Sequence, residues 1–327
     1  MVLENVSLSF DARGLRGVRN LSLSISPGEI LGIIGPSGAG KSTIVKLLSG
    51  ELTPNSGRVL RPAAVAQLCD DGAFHSPQQL QHWLEAAQSS EPDLERRVQR
   101  ARDVADVLEL TQELLRPLSA LSQGQWQRAR LAHALVAAPE LLLLDEPFAH
   151  LDPVLRGEVV VALMQLLARR ATAVVWVGHE VHELLAYAHR LAVLNFGAVE
   201  QLAPPRELFQ APKNLTVARL LGHKNFLIYQ RQNDSWKGAL GDYRRSVLSS
   251  RPHVVLSLPA DAVQLDDQGP HSAQLRARRF AGFYEELELS MGEQTLHVQH
   301  RGPLRAQVGE KLHFRVSLDE AVVIDCL

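Results

Sequence analysis

Gly35-Pro36-Ser37-Gly38-Ala39-Gly40-Lys41-Ser42-Thr43 follows a short apolar run, Glu29 to Ile34, and opens a segment of helical character, Lys41 to Leu48, that ends near Gly50. The stretch fits G-x-x-x-x-G-K-[ST] in the strand–loop–helix setting that gives this pattern its meaning. Glycines let successive backbone N–H groups turn inward around phosphate oxygens. A helix N-terminus adds its dipole. Lys41 is expected to reach the β- and γ-phosphates of a nucleotide, and Ser42 to offer its hydroxyl to Mg²⁺.

Working outward, the flanking sequence reads as α/β. Val6, Leu8 and Phe10 alternate with serines, and Leu21, Leu23 and Ile25 repeat the pattern, so residues 1–35 predict strands. Pro27-Gly28 and Pro54-Asn55-Ser56-Gly57 are turns. Residues 58–68 predict one further strand, and 78–116, rich in Gln, Glu, Arg, Ala and Leu, a helical subdomain. Leu141 to Leu144, Thr172 to Val177 and Arg190 to Leu194 read as buried strands. Strands alternating with helices imply a mostly parallel sheet covered by helices. The leucine run ends in Asp145-Glu146, where an open α/β sheet collects its ligands. Asp145 is suited to hold a metal directly or through water, and Glu146 to take a proton from an attacking water.

The texture changes after residue 203. Pro204, Pro205 and Pro212 mark a connector, with short helices expected at 205–210 and 214–221. From about residue 224, short alternating strands separated by Gly, Pro and Asp predict a small β-barrel of about 100 residues. The length, 327 residues, fits about two domains. A net charge of −2 argues against a strongly basic nucleic-acid binder. With 46% hydrophobic residues, the composition excludes disorder.

Cys69 and Cys326 form no disulfide framework and no CxxC cluster. The start of the sequence lacks the basic and apolar stretches of a signal peptide. No run has the length of a membrane span, so a cytosolic chain is expected, with any membrane role coming through a partner. His179 and His182 would share a helix face, but no third ligand accompanies them, so a metal pair is not expected. Arg276, Arg278 and Arg279 sit among Phe280, Phe283 and Tyr284, with Glu285, Glu286 and Glu288 following at once. This reads as a solvated strand face with core aromatics rather than a nucleic-acid surface.

Leu121-Ser122-Gln123-Gly124-Gln125 resembles the signature sequence of ATP-binding cassette (ABC) ATPases, usually LSGGQ, with Gln123 in place of its first glycine. Residues 1–222 resemble that ATPase domain, with its helical subdomain at about 70–138. The resemblance implies that the loop from Gly35 to Thr43 binds ATP and that Phe10 stacks on its adenine. It implies that Ser42, Gln67 and Asp145 hold Mg²⁺, that Glu146 is the general base, and that Gln67 contacts the attacking water and senses a membrane partner. His179 resembles the switch histidine that reaches the γ-phosphate. Leu151-Asp152, after Phe148 and Ala149, resembles the D-loop. Ser122, Gly124, Gln125 and Asp152 would complete the ATP site of a second chain, so a homodimer, or a pair with a second ATPase subunit, is implied.

Residues 223–327 resemble a TOBE-type, OB-like β domain. Glu207 to Gly222 is similar to the segment that closes the ATPase domain in importers, and Ser250-Arg251-Pro252 to the start of such a barrel. The family reading is therefore the ATP-hydrolysing subunit of an importer for a small solute, ferric iron, a polyamine or an inorganic ion. The alternatives are a sugar importer and a soluble ABC ATPase acting on nucleic acid or ribosomes. The reading implies permease subunits, an external solute-binding protein, no nucleic acid, and a peripheral place on the cytoplasmic face of the inner (plasma) membrane.

Overall fold

The computed structural model describes residues 1–10, 16–68, 73–88, 91–148, 151–232, 235–243, 253–292, 294–318 and 321–325. Cys69, Cys326, Ala149 and the Ser250–Pro252 stretch lie outside the described residues. The chain divides into two compact units, 1–205 and 206–327.

The first unit opens with strands β1 (Val2–Ser9), β2 (Gly17–Ser24) and β3 (Ile30–Ile34), followed by helix α1 (Lys41–Ser49). Strands β4 (Ser56–Leu60) and β5 (Val65–Gln67) come next. Helices α2 (Leu80–Ala86), α3 (Leu94–Val107) and α4 (Gln123–Val136) form the helical subdomain. There Trp83 stacks on Trp126, with ring centroids 5.2 Å apart, and on His133, at 4.1 Å. The unit closes with β6 (Leu141–Asp145), α5 (Pro153–Arg170), β7 (Ala173–Val177), α6 (Val181–Tyr187), β8 (Arg190–Asn195) and β9 (Ala198–Ala203).

The central sheet runs β5-β6-β7-β3-β8-β9, parallel except for β9. Strands buried on both faces read as continuous apolar runs, and every residue of β3 and β7 is buried, as are Leu141 to Leu144. A second sheet, β2-β1-β4, is antiparallel. Its inward positions Leu3, Val6, Leu8, Val18, Leu21 and Leu23 alternate with exposed ones and join the same core as Ile33, Ile44 and Leu143. The single strand expected over 58–68 is two strands in two sheets: β4 pairs with β1, and β5 with β6. Pro62 lies between them, without an N–H to give to a ladder, and the chain crosses from one sheet to the other there. Helix α1 ends at Gly50, whose left-handed φ of 91° lets its N–H cap the Lys46 carbonyl.

The second unit begins with helices α7 (Pro205–Gln210) and α8 (Leu215–Leu220). Strands β10 (Asn225–Gln232), β11 (Ser235–Gly238), β12 (Gly241–Tyr243) and β13 (His253–Leu258) follow. Then come β14 (Val263–Leu265), β15 (His271–Phe280), β16 (Glu285–Met291), β17 (Gln294–His300), β18 (Lys311–Val316) and β19 (Val322–Asp325). Two antiparallel sheets, β12-β11-β10-β13-β19 and β14-β18-β15-β16-β17, curl around one core. Leu227, Tyr229 and Leu256 of one meet Leu275, Leu287 and Phe314 of the other. The fold class is thus an α/β unit with a mostly parallel sheet and a phosphate-loop (P-loop) motif after β3, followed by a small β unit compatible with an OB-like domain.

One expectation for this unit is corrected. Phe280 and Phe283 are not core residues; they are 76% and 96% exposed. A register shift between Leu275 and Ala277 moves Arg278 and Phe280 onto the face of Leu287 and Glu285, but Phe280 lies at the far end of the hairpin, past the last core residues of β15, Ala273 and Leu275. Phe280 forms the last pair of the hairpin, opposite Glu285, and Phe283 sits in its turn. The neighbouring cations are neutralised across that hairpin: Arg278 bonds Glu285 at 3.0 Å, and Arg279 bonds Glu286.

Candidate nucleotide-binding site

Strand β3 runs straight into the glycine-rich loop, and backbone crowding explains the glycines at its two ends. A Cβ at Gly35 would collide with the Leu194 carbonyl oxygen. Gly40 caps α1 with a left-handed φ of 101°, and a Cβ there would lie 2.8 Å from the Gly17 oxygen. Side chains are disfavoured on both counts. Ala39 is buried beneath the loop, and Pro36, Ser37 and Gly38 are exposed above it.

Lys41 is 8% exposed, and its Nζ donates to the carbonyls of Gly35, at 2.8 Å, and Pro36, at 3.0 Å. Burial pushes its ammonium below the ordinary lysine range, with Asp145 and Glu146 pulling the other way. The cation therefore waits folded over its own loop, opposite two carboxylates.

Those carboxylates stand at the end of β6, where the buried leucines stop. Asp145 is half-buried; Glu146 is exposed. Glu146 has a φ of 48°, a left-handed conformation that costs free energy for any residue with a Cβ. Its N–H donates to the Val177 carbonyl at 3.0 Å, which fixes this turn against β7. His179, two residues beyond that strand, places Nε2 2.9 Å from Glu146 Oε1.

Gln67 ends β5, the neighbour of β6. Ser42, Gln67, Asp145 and Glu146 line one cleft of about 420 Å³, together with Lys46, Glu51 and Arg130. Thr43 follows Ser42 in the first turn of α1 and is half-buried. Phe10 lies just past the end of β1, 56% exposed, its N–H bonded to the Arg16 carbonyl at 3.0 Å. The adjoining Gly17 touches the loop, so an open aromatic face stands on the strand pair that borders the phosphate cradle.

Ser122, Gly124, Gln125 and Asp152 stand instead at the starts of α4 and α5. Ser122 caps α4: its Oγ accepts from the Gln125 N–H at 3.3 Å, and Gln125 Oε1 accepts from the Ser122 N–H at 2.9 Å. This is a capping box. Gln125 Nε2 also donates to Glu113 at 2.9 Å, so its side chain is engaged within its own subdomain. Gly124 lies in the first turn of the same helix. Asp152 caps α5, accepting from the Val154 N–H at 2.9 Å. Ser122→Ala is accordingly expected to destabilise the folded chain by about 1 kcal/mol through the lost cap. Urea denaturation measures this, and an unshifted midpoint would refute the capping role.

Two residues at the site carry no local signal. Gly197, in the turn between β8 and β9, donates its N–H to the Ala39 carbonyl at 3.1 Å and so braces the loop from behind. Glu51, just past α1, accepts a hydrogen bond from Gln67 Nε2. Both contacts join turn residues to segments far away in sequence.

Similarity to known proteins identifies the class of protein that carries this loop and strand arrangement. The family described as ABC transporter matches residues 18–149. A xylose/arabinose import ATP-binding protein of Haloferax volcanii is 32% identical over 308 residues, covering 86% of this chain and 79% of that protein. A spermidine/putrescine import ATP-binding protein of Oleidesulfovibrio alaskensis is 35% identical over 240 residues, covering 69% and 63%. Among solved structures, a dimeric bacterial ABC transporter cassette aligns with a TM-score of 0.55 at 25% identity, covering 63% of this chain and 98% of that one.

The chain belongs to the ABC transporter family. It is an ATP-binding subunit of the importer type, and its activity is that of an ATPase.

Proposed function

We propose that the chain hydrolyses ATP in the cleft between α1 and the end of β6 and uses the energy to drive import of a small organic solute, a polyamine or a sugar. The carrying observation is that Ser42, Gln67, Asp145 and Glu146 line a single cleft beside the start of α1, where the buried Lys41 follows the glycine-rich loop. Relatives that import spermidine/putrescine and xylose/arabinose support the solute class.

The loop N–H groups from Gly38 onward and the Lys41 ammonium hold the phosphates. The Ser42 hydroxyl, the Gln67 amide oxygen and the Asp145 carboxylate are all hard oxygen donors, a set that suits Mg²⁺. A metal held by these residues would supply positive charge to offset the charge that develops on the phosphate oxygens. Glu146 accepts the proton of the attacking water, and His179, beside it, holds the γ-phosphate side of the site. Phe10 supplies a face for the adenine. Ser122, Gly124 and Asp152 serve the ATP of a second copy from the starts of α4 and α5. ATP bridging two chains favours the closed pair, and hydrolysis removes the bridge.

No helix among the described residues is long and apolar enough to cross a membrane. The chain works as a peripheral subunit on the cytoplasmic face, bound to permease subunits that receive solute from an external binding protein. A gentle detergent pull-down of the tagged chain from its host, read by mass spectrometry, tests this. A stoichiometric polytopic membrane protein is expected. Recovery of soluble partners or RNA alone, from a demonstrably solubilised membrane fraction, would contradict it.

A further inference from the structure

Helix α1 carries more of the site than its first turn. It starts at Lys41 and Ser42 and ends at Ser49, one residue before the Gly50 cap. Just beyond the cap, Glu51 turns back onto the cleft that Ser42 lines from the other end of the helix. Its Oε1 accepts from Ser49 Oγ at 3.1 Å and from Gln67 Nε2.

An ionised carboxylate only accepts hydrogen bonds, whereas a glutamine amide has a donor end and an acceptor end. Glu51 can therefore engage only the –NH₂ of Gln67. The amide rotor, nearly symmetric in shape, is thereby given one orientation: nitrogen toward Glu51, oxygen on the opposite side. Oxygen is the end a hard cation requires.

We propose that Glu51 is a positioning residue, which by binding Gln67 Nε2 presents Gln67 Oε1 to the Mg²⁺ held between Ser42 and Asp145. The inference rests on the ATPase reading and adds to it a residue that touches neither metal nor nucleotide. Without Glu51 the amide samples both flips and must be reoriented each time the metal is taken up. The loss falls on metal affinity, and saturating metal restores turnover.

The test uses the full chain with a non-hydrolysable ATP analogue and Mn²⁺ as a paramagnetic probe, followed by electron paramagnetic resonance, alongside the Mg²⁺ dependence of ATP hydrolysis. Glu51→Ala is expected to weaken Mn²⁺ binding by about tenfold, the scale of one hydrogen bond to a charged group. The half-saturating Mg²⁺ concentration should rise in parallel. Glu51→Gln keeps an acceptor for Gln67 Nε2 but adds a donor that can bond the flipped amide, so it should recover only part of the affinity. In a Gln67→Ala background, Glu51→Ala should change nothing further, because the two act as one unit.

Unaltered Mn²⁺ affinity in Glu51→Ala overturns the proposal. So does a Glu51→Ala effect that persists undiminished without Gln67, since Glu51 would then be acting on the metal by itself. A wild-type chain indifferent to divalent metal would overturn the ATPase reading along with it, whereas failure confined to the Glu51 variants overturns this inference alone.

Discussion

Glu146→Gln is expected to lower ATP turnover by about 10²–10⁴-fold while nucleotide binding persists. That range is the usual contribution of a positioned general base. The substitution keeps the shape of the side chain and removes its capacity to take a proton. Local structure should survive, because the turn is held by the backbone bond from the Glu146 N–H to Val177. A glutamine oxygen can also still meet His179 Nε2, now 2.9 Å from the carboxylate. Single-turnover hydrolysis and equilibrium binding of a fluorescent ATP analogue should be measured on one preparation. Near-normal turnover would remove Glu146 from the mechanism, and a parallel loss of binding would make it a structural residue.

Lys41→Ala should fail at the earlier step. The ammonium now spends its donors on the Gly35 and Pro36 carbonyls, and incoming phosphate oxygens take their place. A hydrogen bond to a charged group contributes about 1.5–3 kcal/mol, so affinity for ATP should fall by about 10- to 100-fold. The loss is compounded because Asp145 and Glu146 face Lys41, and without it they repel the phosphates. Titration of the variant with the same analogue checks this. Unchanged affinity together with unchanged turnover would overturn the phosphate assignment.

How much of this the sequence discloses depends on how far each signal reaches. The loop from Gly35 to Thr43, the leucine run ending at Asp145 and the buried β-branched strand before Gly178 are local patterns, and the structure has a loop or strand at each. The division of residues 58–68 between two sheets is not local. Alternation marks an extended segment but does not say which neighbour it pairs with, and Pro62 alone hints at the break. Phe280 and Phe283 look like core residues because they are large aromatics at the end of a strand, but they fall at the tip of the β15–β16 hairpin, and how far a hairpin runs past its core leaves no mark in a single sequence.

At the site, the spacing of Ser122 and Gln125 makes a capping box readable, whereas the Gln125–Glu113 bond is not. Glu51 and Gly197 are invisible for the same reason. They sit in turns, and their partners, Gln67 and Ala39, are brought to them only by the fold.

The central claim is that this cleft hydrolyses ATP and that two chains are needed to complete it. The most direct measurement is phosphate release from MgATP by the purified chain over a wide range of protein concentration, with light scattering to follow association. Metal-dependent hydrolysis is expected, with a specific activity that climbs as ATP-bound chains pair. Hydrolysis at the same specific activity from a chain that remains monomeric throughout, or no phosphate release from a fully paired chain, would contradict it.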